Sequence, residues 1–184
     1  MRIISGYLKG KKIDLPKDDL TRPLKDMVKE SIFNIIEHSN DISFKLKEAV
    51  VLDLFSGTGS FGLECVSRGA KKVIFNENYN SAIEILEKNI KNLNCENKCQ
   101  ILKSDCFNLL KNFNEKVDII FMDPPFKEEK INELIISITE ANILKQNSLI
   151  IIHRNKKNDD QLSERIKIVD TRYYGLSKIT FAVY

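Results

Sequence analysis

From residue 50 the chain alternates short apolar runs with segments of helical period. That alternation admits few arrangements other than parallel strands joined by crossover helices. The runs Val50 to Phe55, Lys72 to Asn76, Gln100 to Lys103, Val117 to Met122 and Ser148 to His153 predict five strands. Helices are expected over Ser60 to Arg68, where Gly69 stops the pattern, over Tyr79 to Leu93, briefly near Asp105 to Leu110, and over Glu128 to Leu144. The apolar positions of the last of these read as core packing against the sheet. The tail, Arg165 to Asp170 and Ser177 to Tyr184, returns to alternating apolar residues and predicts a closing antiparallel pair. Ahead of this unit, Arg2 to Leu15 sets short apolar runs around Gly6 and Gly10 and reads as a small hairpin. Pro23 then opens an amphipathic helix whose buried face is Leu24, Val28, Ile32 and Ile35/Ile36, running to about His38. Asn155 to Asp160 reads as a flexible stretch, and the sequence contains no repeat.

With 184 residues, 42% of them hydrophobic, the chain fits a single domain with its own core. No run approaches the roughly 18 apolar residues of a membrane helix, and the N-terminus lacks the apolar centre of a signal peptide, so a cytoplasmic protein without membrane contact is expected. Cys65, Cys95, Cys99 and Cys106 are expected to be reduced, because a core of this size needs no covalent staples. The net charge of +3 is unevenly laid out. Residues 1–30 hold 8 Lys/Arg against 5 Asp/Glu, residues 31–144 hold 13 against 17, and residues 145–184 hold 8 against 4. Basic ends around an acidic middle suit a polyanionic partner, although basic stretches also serve as plain solvated surface.

The first core strand runs into Ser56-Gly57-Thr58-Gly59-Ser60-Phe61-Gly62, a G-x-G-x-x-G pattern between a strand and a helix. Gly57 and Gly59 permit a sharp turn and close approach of a ligand, and a ligand-free tight turn is the competing reading. Asp53, four positions before Gly57, suits a cationic ligand. A pyrophosphate beside it would set anion against anion, so Asp53 favours the ammonium and sulfonium of S-adenosylmethionine over a dinucleotide. Glu77, ending the second strand, suits the two hydroxyls of a ribose. Asp105 could accept from an adenine amine with Phe107 on the ring, or cap a helix. Phe55, Asn78 and Cys106 flank these positions and are assigned to the same cofactor site.

The fourth strand ends in Asp123-Pro124-Pro125-Phe126. Two prolines fix the backbone and remove two N–H donors, presenting a carboxylate, carbonyl acceptors and an aromatic face in a rigid array. That array suits a flat base bearing an exocyclic amine, held by Asp123 and the Pro124 carbonyl and stacked on Phe126. Acceptors placed where positive charge develops on nitrogen favour the transition state over the ground state. The expected chemistry needs no metal and no Cys or Ser nucleophile. Cys95-x-x-x-Cys99 has no second ligand pair in the sequence, and His38 and His153 read as helix-end and strand-end residues.

At this point the sequence resembles the RsmD-like bacterial methyltransferases that modify a guanine N2 of small-subunit (16S) ribosomal RNA. The resemblance is carried by Met1-Arg2-Ile3-Ile4-Ser5-Gly6, Thr21-Arg22-Pro23, Ser31-Ile32-Phe33-Asn34, Leu52-Asp53-Leu54-Phe55-Ser56-Gly57-Thr58-Gly59, Asp123-Pro124-Pro125-Phe126 and Tyr174-Gly175. It implies an α/β, Rossmann-like class I S-adenosylmethionine-dependent methyltransferase fold: a seven-stranded, mostly parallel sheet with helices on both faces, plus an N-terminal hairpin and helix. One domain, 1–184, is expected, with 1–40 on the RNA side and 41–184 as the catalytic core. The cofactor would lie near Asp53, Gly57, Glu77 and Asp105 and the guanine near Asp123 and Phe126. Lys9, Lys11, Lys12, Arg22 and Lys25 are the expected contacts to ribosomal RNA or a small-subunit assembly intermediate, reached by a monomer. Two positions depart from the family pattern: His153-Arg154 stands where the fifth strand commonly ends in Glu, and Asn76 replaces an apolar residue. The alternatives are an amino-methyltransferase acting on adenine N6 or cytosine N4 in DNA or RNA, and a non-catalytic RNA-binding ribosome assembly factor.

Overall fold

The structure, a computed structural model, describes residues 1–16, 24–39, 42, 45–158, 160 and 162–184. Its elements in chain order are α1 (Asp26–His38), β1 (Val50–Asp53), α2 (Ser60–Ser67), β2 (Lys72–Glu77), α3 (Asn80–Asn92), β3 (Cys99–Lys103), α4 (Cys106–Leu109), β4 (Val117–Met122), α5 (Ile131–Glu140), β5 (Leu144–Asn155), β6 (Lys167–Tyr174) and β7 (Ser177–Val183). The strands form one seven-stranded sheet in the order β3-β2-β1-β4-β5-β7-β6. β3, β2, β1, β4 and β5 run parallel, and β7 lies antiparallel between β5 and β6. No helix among the described residues is long and apolar enough to cross a membrane.

The two-residue period of the strands deals their side chains to two cores. Val51, Ile119 and Ile151 pack with α1, α2, α3 and the N-terminal segment, while Leu52, Ile120 and Ile150 pack with α5 on the other face. Connections leave β1 toward β2 on one side and meet β4 on the other. The carboxyl ends of β1 and β4 therefore flank the point where strand order reverses, which is where open α/β sheets bind ligands.

Three elements differ in detail from the sequence expectation. The N-terminal hairpin is short and irregular: it has one antiparallel bridge, Arg2 with Lys12, flanked by Ile13 N donating to Met1 O, Ile3 N to Lys11 O and Gly10 N to Ile3 O. Other donors of the segment reach α2: Ile4 N and Ser5 N donate to the two carboxylate oxygens of buried Glu64, and Leu8 N donates to Ser67 Oγ. The segment is a strap on α2. The helix expected over Glu128 to Leu144 is only Ile131–Glu140, because Glu128 N turns back to Pro125 O and Asn142 adopts φ 53° just past the helix, a left-handed stop. β5 begins at Leu144 and runs past His153 to Asn155, with an irregular register between Val117 and Ile119 of β4.

The strap supplies a stability prediction. Gly6 has φ +79°, and a Cβ there would lie 1.9 Å from the Ser67 carbonyl oxygen. Gly6→Ala is expected to cost about 2–4 kcal/mol through left-handed strain and displacement of the strap. Thermal unfolding would read this as a Tm drop of order 10 °C. A Tm within about 2 °C of wild type would show that the strap contributes little to the fold.

Candidate active site at the carboxyl edge of the sheet

Asp53 closes β1 and is 1% exposed. Its Oδ2 accepts from Gly62 N in the first turn of α2 at 3.1 Å, while Oδ1 is buried with no hydrogen-bond partner. Burial raises its carboxyl pKa well above the ordinary range; the Gly62 bond opposes the rise, and the negative charges of Asp123 and Glu77 add to it. A buried carboxylate with one oxygen unsatisfied and two anionic neighbours is a site that a cation would complete. Between Asp53 and α2, Gly59 takes φ +87° and packs so closely that a Cβ would meet Leu86 Cδ1 at 2.5 Å. The loop is thus shaped by its packing on α3 as well as by its turn.

Glu77 closes β2, and its carboxylate ties the loop to the next helix: Oε2 accepts from Gly57 N at 2.7 Å, and Oε1 accepts from Asn78 N and Tyr79 N. A carboxylate has about four lone-pair sites, so three N–H bonds leave one for a hydroxyl. Asn76 is structural. Its carbonyl accepts from Ser56 N and Oγ, and its Oδ1 accepts from Ser104 Oγ, joining the glycine loop to the turn before Asp105. Asp105 caps α4, accepting from Phe107 N and Asn108 N, both through Oδ1. Phe55 and Phe107 pack partly buried against the core, Asn78 is exposed, and burial pushes the Cys106 thiol up to about 12.

Across the switch point, Asp123 follows β4 two residues beyond Phe121, which pairs with Asp53. Asp123 Oδ1 lies 2.7 Å from His153 Nδ1, and His153 Nε2 lies 2.8 Å from Ser177 Oγ on β7. The His153 ring meets Phe126 edge-on, with centroids 5.9 Å apart and planes at 85°. Arg154, 1% exposed, pairs with Asp160 through Nε and Nη2, and it donates to the carbonyls of Pro125 (3.3 Å) and Glu128 (2.5 Å). Asn158 Nδ2 donates to Phe126 O at 3.4 Å. Both residues that depart from the family pattern on β5 therefore hold the Asp-Pro-Pro-Phe turn. His153 is more than a strand-end residue: the 2.7 Å contact to Asp123 gives it a place in the site.

The structure brings Asp53, Gly57, Gly59, Glu77, Asp105, Asp123 and Phe126 to one edge, since each follows the carboxyl end of β1, β2, β3 or β4. Lys9, Lys11, Lys12 and Lys25 are exposed, and Arg22 lies outside the described residues. Lys9 shares an open cleft with Asp26 and Glu30, so charge there is mixed. Exposed Lys156 and Lys157 follow β5, whose last residue Asn155 pairs with Ser177; Arg172 and Tyr173 are exposed on the neighbouring strand. Tyr174 hydrogen bonds to Ser31 of α1. Cys95 and Cys99 lie 3.8 Å apart, Sγ to Sγ, and no group of three or more metal-ligating side chains occurs among the described residues. His38 ends α1.

Comparison with known proteins follows the same lines. Ribosomal RNA small subunit methyltransferase D of Haemophilus influenzae is 33% identical over 85% of this chain and 79% of its own length. The same-named protein of Buchnera aphidicola subsp. Baizongia pistaciae is 36% identical over 84% and 76%. The solved structure of the Haemophilus influenzae protein HI0767, described as a candidate methylase, superposes with a TM-score of 0.80 at 29% identity, covering 99% of this chain and 97% of that one. The Escherichia coli protein yhhF, at 24% identity and a TM-score of 0.87 over 100% and 97% of the two chains, shares the fold. The fold is that of the class I methyltransferases. The family described as Conserved hypothetical protein 95 matches residues 1–183, and with its relatives at this level of identity the chain belongs to that family, the RsmD-like group its motifs resemble.

Proposed function

We propose that the chain transfers a methyl group from S-adenosylmethionine to the exocyclic N2 amine of a guanine in small-subunit ribosomal RNA. The observation that carries this reading is the opposition, across the strand-order reversal, of a buried carboxylate with one oxygen unsatisfied and an anchored Asp-Pro-Pro-Phe turn. Asp53 fits the ammonium of the cofactor and Glu77, with its remaining lone pair, fits one hydroxyl of the ribose. When bound, S-adenosylmethionine supplies a methyl group already activated on a sulfonium. Asp123 and the Pro124 carbonyl hold the amine N–H groups, Pro125 keeps the turn rigid, and Phe126 stacks on the base. As the N–C bond forms and the C–S pair leaves with sulfur, nitrogen sheds a proton, for which Asp123 Oδ2 is the placed acceptor. Alignment of the three reacting centres supplies up to roughly 7–11 kcal/mol. Phe55, Asn78, Cys106 and Phe107 complete the cofactor walls. The chain acts as one domain, 1–184, and as a monomer in the cytoplasm, on ribosomal RNA or an assembling small subunit. The curated relatives named as small-subunit methyltransferases support this substrate.

Incubation with labelled cofactor and ribosomal RNA from a deletion strain, followed by nucleoside mass spectrometry, tests the reading. Label in N2-methylguanosine is expected; label in N6-methyladenine alone would sink it. Full complementation of the deletion by an inactive variant would move the function to a non-catalytic assembly role.

Lys9, Lys11 and Lys12 are assigned to the RNA backbone. Replacing all three with Gln is expected to weaken RNA binding and to flatten its log–log salt dependence by about two units, while cofactor affinity stays unchanged, because neutralised phosphates release counterions. An unchanged salt slope would return these lysines to plain solvated surface.

A further inference from the structure

His153 touches both side chains assigned to hold the target base. Its Nδ1 stands 2.7 Å from Asp123 Oδ1, its ring meets Phe126 edge-on, and its Nε2 stands 2.8 Å from Ser177 Oγ. The side chain is 9% exposed, so these contacts face little competition from water. An ionised carboxylate only accepts hydrogen bonds, so Nδ1 carries the proton toward Asp123, and Nε2 accepts from the Ser177 hydroxyl. Ser177 opens β7 and pairs with Asn155 across the sheet, which anchors this second partner to the framework.

We propose that His153, its tautomer set by Asp123 and its ring held at the far nitrogen by Ser177, is a positioning residue that fixes the Asp123 carboxylate and the Phe126 ring for the incoming base. The proposal rests on the methyltransferase reading above. The terminal torsion of an Asp side chain is broad, so an unanchored Asp123 would sample many carboxylate planes. With Oδ1 held by His153, the plane is set and Oδ2 is left for the amine. A misplacement of about 1 Å can cost 10²-fold in rate, and the loss falls on orientation rather than on cofactor binding.

The test is a substitution series at 153 with two readouts. Asn places Nδ2 where Nδ1 stood and keeps the donor to Asp123, Leu fills similar space without a donor, and Ala removes both. Under saturating RNA and cofactor, kcat is expected to fall about 10- to 100-fold in His153→Ala and His153→Leu and to recover to within about fivefold of wild type in His153→Asn. Cofactor Kd and Tm should stay near wild type in Asn and Leu. Equal rates for Leu and Asn, or wild-type rates in all three, would overturn the proposal. The second readout needs no turnover: the chain has two histidines, so imidazole nitrogen NMR of wild type against His153→Asn assigns the His153 signals. An Nδ1-protonated imidazole is expected, passing to a tautomer mixture in Asp123→Ala. A dominant Nε2-protonated form would overturn it. A wild type inactive on every guanine would overturn the reaction and the role together, whereas an active wild type with any of the contrary variant or NMR results removes the positioning role alone.

Discussion

Asp123→Ala is expected to lower single-turnover methyl transfer about 10²- to 10³-fold, the range found when one preorganised hydrogen-bonding partner of a developing charge is removed. The amine lone pair is delocalised into the ring and becomes nucleophilic only as its N–H groups are drawn toward acceptors, so the loss should appear in kcat. Cofactor binding should survive and can tighten slightly, because the Asp123 charge is one of the influences holding Asp53 toward its neutral form. Asp123→Asn should fall between: its amide oxygen can still accept, but only the more weakly for want of charge. Tritium transfer to ribosomal RNA, run beside a direct cofactor titration, separates the two effects. A wild-type transfer rate in Asp123→Ala would show that the amine is held elsewhere.

What the sequence displayed depends on how local each signal is. β4 was legible to the residue, since an apolar run bounded by Pro-Pro has one way to end. The carboxylates at the ends of β1 and β2 were equally legible, because a parallel sheet brings every strand terminus to one edge. The Asp123–His153 contact joins residues 30 apart in sequence and exists only because Met122 registers with Ile152. The available signal was two polar residues at the ends of adjacent expected strands. Glu64 left a similar trace: a carboxylate in the otherwise apolar run of α2, whose partners are the N–H groups of Ile4 and Ser5 and the Arg68 guanidinium. The family-specific N-terminal motif is thereby explained as a strap on the helix that follows the glycine loop. The strap is carried further by Lys29 of α1, fully buried, which donates to Arg2 O and to Ser60 Oγ at the start of α2. Its ammonium is pushed toward the neutral form by burial, an effect opposed by Glu64 and Asp26. The Arg154 contacts that hold the Asp-Pro-Pro-Phe turn were illegible for the same reason as His153: a buried guanidinium can reach carbonyls that no periodicity marks.

Asp53→Asn should separate fold stability from cofactor binding more sharply than any other substitution. In the cofactor-free protein Asp53 binds its proton more tightly when folded than when unfolded, mainly through burial. Its contribution to stability is therefore present below the ordinary carboxylate pKa and is lost as pH rises through the raised folded value. Asn keeps the shape and removes that charge, so the variant's Tm should match or exceed wild type at pH 8 and lose this part of the pH dependence. The cofactor reverses the sign. A cationic group beside Asp53 favours the ionised form, so wild-type affinity should climb with pH across the same window, and calorimetry in buffers of different ionisation enthalpy should detect proton release on binding. Without the carboxylate, the charge-assisted hydrogen bond of about 1.5–3 kcal/mol disappears and cofactor Kd should rise by roughly 10- to 100-fold. A variant that binds as tightly as wild type would place the cation away from β1. A variant that binds weakly but melts well below wild type at pH 8 would mean that the Gly62 contact at the start of α2, rather than a cation, is what Asp53 chiefly serves.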